Sequence, residues 1–196
     1  MSKIIVTHNS PDLDAVTSSW IIKRFLSGWE GAEVITVPAG GRLNTNRASE
    51  DVIEHLDGKE VIHVDTGMGP LDHHQVENEN TCAAKLTYEY VLPLSEELRV
   101  NKHKADALSR LVEYVVDDDH FQEVYYPDPA SDIYEFSLVS LLSGIKFQYP
   151  RDDATCLRFG FDLLDVAIHR FENRLWAEEE IEKKGIQFNT KWGKGI

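Results

Sequence analysis

An open α/β architecture, with a mainly parallel sheet flanked by helices and a helical extension at its C-terminal end, is the fold class that this sequence predicts. Three observations carry the prediction. Short runs rich in β-branched residues at 3–7 (KIIVT), 32–37 (AEVITV) and 60–65 (EVIHVD) are bounded by turn residues, as expected of strands buried in a parallel sheet. Helical patterns separate these runs, and the alternation of strand and helix implies right-handed crossovers. From residue 152 the pattern becomes one long, charged, amphipathic stretch.

Taken in order, the first strand is followed by a helix with Ser10 as N-cap, Pro11 at its first position, and Leu13, Val16 and Trp20 on one stripe. It runs to about residue 27, before Gly28. A second helix is expected over 47–56, closed by Gly58, and further helices over 81–91, 102–116 and 131–142. The last helix spans 152–184, with Phe159, Leu163, Val166, Phe171 and Leu175 on its apolar side. This divides the chain into residues 1–150, an α/β domain, and 151–196, a long helix with a tail that packs across that domain or begins another. The tail, GIQFNTKWGKGI, alternates like the start of an edge strand that lacks a continuation or borrows a strand from a partner.

With 196 residues, 42% of them apolar, the chain can bury a sizeable core. Its first residues are too short an apolar run for a secretory signal, and no stretch approaches the roughly 20 apolar residues of a membrane span, so the expected location is cytoplasmic. Cys82 and Cys156 lack paired spacing and read as small buried side chains. A formal net charge of -14 excludes broad, charge-driven binding of long nucleic acid. Contacts to a polynucleotide must then be local; the candidate basic patches are Arg42 with Arg47, residues 99–104 and residues 183–194.

Four clusters of metal-ligand residues follow apolar runs: His8, Asp12 and Asp14 in THNSPDLDA; Asp65 in VIHVDTG; Asp72, His73 and His74 in LDHHQ; and Asp117, Asp118 and Asp119 in VVDDDH. Imidazoles and carboxylates in this number can hold two hard or borderline divalent cations, the equipment for hydrolysing a phosphate ester. His8 and Asp65 fall at the carboxyl ends of strands, where open α/β sheets bind ligands. Asp72 can orient an imidazole of the DHH triplet as a supporting partner. Carboxylates at the C-terminus of a helix oppose its dipole and call for a compensating cation. His55, His63, His103, His120 and His169 read individually as structural residues, with His120 the best further candidate.

In order and approximate spacing, these four motifs resemble the signatures of the DHH (Asp-His-His) phosphoesterase superfamily over residues 3–120. DHHQ, NTCAAKLTYEYV and the long C-terminal helix are similar to its melanocyte-proliferating-gene nuclease branch, although the first motif has the general form Pro11-Asp12-Leu13-Asp14. The resemblance implies that His8, Asp12 and Asp65 hold one metal and that Asp14, Asp65, His73 and one of Asp117, Asp118 and Asp119 hold the other, with Asp65 bridging; Asp117, directly after Val116, aligns best. It implies catalytic roles for Asp65, His74 and Asp72, His74 on the scissile phosphate and Asp72 supporting the pair from behind. Arg42 and Arg47 are candidate substrate contacts beside His74. The expected cofactors are two divalent ions, manganese (Mn2+) by resemblance, with Mg2+, Fe2+ or Zn2+ also compatible.

The function that follows is hydrolysis of a phosphodiester in short or single-stranded nucleic acid by an exonuclease-like enzyme. Alternatives are a hydrolase of small phosphoanhydrides or cyclic dinucleotides and a noncatalytic metal- or nucleotide-binding module. The expected partner is the phosphoester substrate, with a homo-oligomer as a further candidate and no membrane.

Overall fold

The computed structural model describes residues 2–43 and 49–195. Four strands form a mixed sheet in the order β2-β1-β4-β3: β1 (Lys3–His8), β2 (Glu33–Val37), β3 (Glu54–Leu56) and β4 (Lys59–His63). β1 is central and pairs in parallel with both β2 and β4, opposing Val6 to Ile35 and to His63. The helices are α1 (Leu13–Phe25), α2 (Ala83–Val91), α3 (Glu96–Val100), α4 (Lys102–Asp119), α5 (Leu138–Gln148) and α6 (Asp153–Lys184). No helix among the described residues is long and apolar enough to cross a membrane.

Alternation along β1 separates two apolar clusters. Ile5 and Ile62 join the helices in the main core, whereas Ile4, Val6 and Val61 form a smaller cluster with Ile35, Val37, Leu43 and Leu56. Helix α1 lies in the middle of the main core. Every residue from Leu13 to Ile22 is buried, on all sides and not only along the expected stripe, because the helix packs against α2, α4 and α6 as well as the sheet. Trp20 nevertheless keeps a polar contact, donating its indole N–H to Asp165 at 3.0 Å.

Two expectations about local structure are corrected. Asp12, not Ser10, caps α1: Asp12 Oδ1 accepts the Ala15 N–H at 3.0 Å, while Ser10 adopts φ 54° in the turn leaving β1. The segment expected as a helix over 47–56 is bent at 50–53 and then forms β3, which pairs antiparallel with β4; residue 47 lies outside the described residues. The reason is the two-residue turn Asp57-Gly58, with φ of 49° and 76°, whose twist favours a hairpin; Gly58 closes this turn and not a helix.

Beyond the site, the helix expected over 131–142 divides into a 3-10 turn, Asp132–Phe136, and α5, which is capped by Ser137. Helix α3, capped by Ser95, was not anticipated. In α6 the buried positions are Cys156, Leu157, Gly160, Leu164 and Ile168, so its N-terminal half belongs to the main core, whereas Val166 is exposed. The tail folds on itself as a hairpin of β5 (Phe188–Thr190) and β6 (Gly193–Gly195).

At Gly160, α6 packs tightly against α1. A Cβ there would lie 2.5 Å from Val16 Cγ1 and 3.1 Å from Leu142 Cδ2. Gly160→Val is expected to lower stability by about 1–3 kcal/mol through overpacking, read as a lower urea midpoint with an unchanged m-value.

Candidate metal centre

The donors meet at the carboxyl ends of β1 and β4. His8 closes β1, and its Nδ1 hydrogen-bonds the Asn9 carbonyl at 2.9 Å. That bond places one proton on Nδ1, and Nε2 faces Asp65 Oδ2 at 3.1 Å and Asp12 Oδ2 at 3.5 Å. Asp12 therefore divides its carboxylate, one oxygen capping α1 and the other facing His8. Asp65 follows β4 with φ 51°, a left-handed conformation uncommon for aspartate, and its carboxylate is buried. Its second oxygen, Oδ1, faces His73 Nε2 at 3.7 Å and His74 Nδ1 at 3.6 Å.

His73 and His74 have different roles. His73 Nε2 is also 3.6 Å from Asp14 Oδ2 and 3.5 Å from Asp119 Oδ2. His74 Nδ1 instead donates to Asp72 Oδ1 at 2.7 Å, and Asp72 in turn accepts backbone N–H groups from Met68 and His74. Asp72 thus supports His74 from behind, and the exposed His74 ring can offer Nε2 outward. Asp14 is buried, with both oxygens accepting the Ala83 and Ala84 N–H groups at the start of α2, at 2.8 and 2.6 Å. Those bonds join α1 to α2 and draw on the positive end of the helix dipole.

Among the three aspartates closing α4, the structure brings Asp119 to His73 and leaves Asp117 exposed. This corrects the choice of Asp117, and the reason is helical phase. The buried stripe Leu108, Leu111, Val112, Val115 and Val116 continues at Asp119, whereas Asp117 falls four residues beyond exposed Glu113. The same spacing in the sequence carried that signal. His120, read as structural when taken alone, also reaches the site: its Nε2 donates to the Thr81 carbonyl at 2.9 Å and lies 3.8 Å from Asp119.

Arg42 is placed differently from its expected role as a substrate contact. Its side chain is 5% exposed and is bonded to Glu54, with Nη1 donating to the Gly67 carbonyl at 2.6 Å. Glu54 also accepts from His63 Nδ1 at 2.9 Å, and His63 Nε2 accepts the Leu43 N–H at 3.1 Å, which defines a neutral imidazole. This buried network pins the loop that follows Asp65. Gly67, at φ 82°, admits Arg42 because a Cβ would come within 2.8 Å of Arg42 Cγ. Arg47 lies outside the described residues.

Among the described residues, three donor groups result, each with ligand atoms within 4.8 Å of one another: His8, Asp12 and Asp65; Asp65, His73 and His74; and His73, Asp119 and His120. Asp65 and His73 are each shared. Charge is crowded here. Burial, reinforced by Asp12 and only partly offset by His8 and His74, raises the Asp65 carboxyl to about 6. Burial, Glu123, Asp12 and Asp119 raise Asp118 to about 7. Asp14 is pushed up by burial and by Asp65 and Asp119. For His8, burial favours the neutral ring, but Asp12 and Asp65 outweigh it and raise the imidazole to about 11. Burial lowers His73, whereas at His74 the same effect is overcome by Asp72 and Asp65, which raise it.

Comparison with protein-family models, curated proteins and solved structures returns no match. The chemistry of the site therefore rests on its own geometry.

Two predictions follow from that geometry. Asp119→Asn should weaken Mn2+ binding about 10- to 100-fold or more by calorimetry, while Asp117→Asn stays close to wild type; the reverse order would reinstate Asp117. The second concerns pH. A folded-state carboxyl at about 6, against the usual 3.8, costs stability as pH rises through that window, because the unfolded chain has already released the proton. Divalent ions relieve this charge but compete with protons for the same donors. The rise in Tm produced by Mn2+ should therefore be larger at pH 8 than at pH 5.

Proposed function

We propose that this chain is a DHH-type, divalent-metal-dependent phosphohydrolase that cleaves phosphodiester bonds in short or single-stranded nucleic acid. The observation carrying the proposal is a pair of buried atoms, Asp65 Oδ1 and His73 Nε2, that have no hydrogen-bond partner among the described residues although they lie amid carboxylates and imidazoles. Buried polar atoms are ordinarily paired, and an ion supplies the missing partner at such a site. The motif order in the sequence supports the same reading.

His8 Nε2, Asp12 and one Asp65 oxygen would hold one cation. The other Asp65 oxygen, His73 Nε2 and Asp119 would hold the second, with Asp14 beside it and His120 in reach. Manganese is favoured by the motif resemblance, and the mixed nitrogen and oxygen donors also suit iron or zinc. When bound, two such ions supply a water of lowered pKa and neutralise the charge developing around phosphorus.

The protein's own groups account for the rest. His74, held by ionised Asp72 and favoured as the cation, can donate from Nε2 to a nonbridging phosphate oxygen or to the leaving oxygen. The bond broken is that from phosphorus to the leaving oxygen, which takes a proton; water provides the new oxygen. Arg42, Glu54 and His63 hold the loop that aims Asp65 and His74.

Asp65→Ala should reduce manganese-dependent turnover by a factor on the order of 10³ or more while the circular dichroism spectrum stays native. Hydrolysis of short RNA and DNA, pyrophosphate and cyclic dinucleotides, measured side by side, tests the substrate class. Pyrophosphate turnover alone would move the proposal to phosphoanhydrides, and bound metal without turnover would make the chain a binding module.

A further inference from the structure

A cleft of about 720 Å³ opens beside the metal centre, between the Asn9–Ser10 turn and the junction of α5 with α6. Its size falls within the usual range for a ligand pocket. Asn9 and Ser10 line it directly after His8, so it continues the site along the first motif. The opposite wall has Ser143, Lys146, Phe147, Tyr149 and Arg151. Phe147 is 85% exposed and Tyr149 45% exposed, so both offer ring surface to the cleft. The walls are tied together: Lys146 Nζ donates to the Ser10 carbonyl at 3.1 Å, and Asp153 accepts the Ser10 N–H at 3.1 Å and the Thr36 hydroxyl at 3.0 Å. Lys146 is also close enough to favour the ionised form of Asp12.

We infer that this cleft receives a nucleobase of the substrate, stacked on Phe147 and Tyr149, while the attached phosphate lies at the metal centre. The inference rests on the phosphohydrolase reading above and specifies its substrate as a nucleotide phosphodiester. Aromatic faces bind any base, and the polar groups of Asn9 and Ser143 can meet its edge. Lys146 and Arg151 place two cations in a cleft that Asp152 and Asp153 also line, with Asp153 engaged by Ser10 and Thr36, so the two cations can meet a phosphate next to the base. The net charge of -14 favours a short substrate held by its base over a long one held by its backbone.

The test compares linear and cyclic dinucleotides with a linear analogue in which one nucleotide is abasic, in Mn2+, using wild type, Phe147→Ala, Tyr149→Ala and Phe147→Trp. Wild type should prefer the complete dinucleotide over the abasic one by about 5- to 150-fold in kcat/KM, mostly through KM. Phe147→Ala should erase most of that preference, and Phe147→Trp should restore it. Variants that slow complete and abasic substrates equally would overturn the cleft assignment and leave the phosphohydrolase reading standing. If wild type hydrolyses no nucleotide, that reading fails, and calorimetry with adenosine monophosphate and Mn2+ decides the cleft: affinity weakened in Phe147→Ala supports it, and affinity equal to wild type overturns it. Native Mn2+ affinity in each variant certifies an intact centre.

Discussion

The two oxygens of Asp65 face different sets of donors, and the arrangement of the site depends on that division. Oδ2 meets His8 at the end of β1, and Oδ1 meets His73 and His74 from the loop after β4. The parallel pairing of β1 with β4 makes this meeting a consequence of the sheet, because neighbouring parallel strands end on the same side. The left-handed backbone of Asp65 then turns its carboxylate between the two sets. Such a conformation is maintained against its local cost by Arg42, which bonds the Gly67 carbonyl, and by the Thr66 hydroxyl, which donates to the Gly41 carbonyl at 3.1 Å.

Helix termini do much of the remaining positioning. Asp12 both caps α1 and faces His8, while Asp14 fastens the start of α2 to the first turn of α1. Asp119 arrives at the C-terminal end of α4, where the helix dipole disfavours a carboxylate. Structural and chemical readings of these residues are therefore not alternatives. Capping and amide binding hold the carboxylates in place, and burial, reinforced by repulsion from neighbouring carboxylates, raises Asp14, Asp65 and Asp119. A folded state that confines so much negative charge is better matched to divalent cations than to water, whose access the burial of Asp65 and Asp14 restricts.

Charge also limits how a polyanion could be handled. A surface this acidic repels an extended phosphate backbone, so under the proposed function affinity would come from bound metals, a few cations and base stacking. The cleft bounded by the first motif and the α5–α6 junction combines these features next to His8. The N-terminal half of α6 is thus part of the architecture that shapes the site, through Asp153 and the packing of Gly160 on α1.

The three principal strands, the first helix, α2, α4 and α6 were legible in the sequence because each has a strong apolar period, and the clustering of His8, Asp12, Asp65 and the DHH triplet was legible because ligand-type residues recur where strands end. Asp119 was legible in principle from the phase of α4, but selecting it required knowing which face of that helix turns inward. β3 was missed because Gly58 can close either a helix or a hairpin, and only pairing with β4 distinguishes them. Tertiary structure alone decided that Arg42 would be buried against Glu54, that Asp14 would bind the amides of α2, and that His120 would reach the site. Those contacts join residues far apart in the chain, and local pattern carries no information about which distant partner will satisfy a charge once both are removed from water.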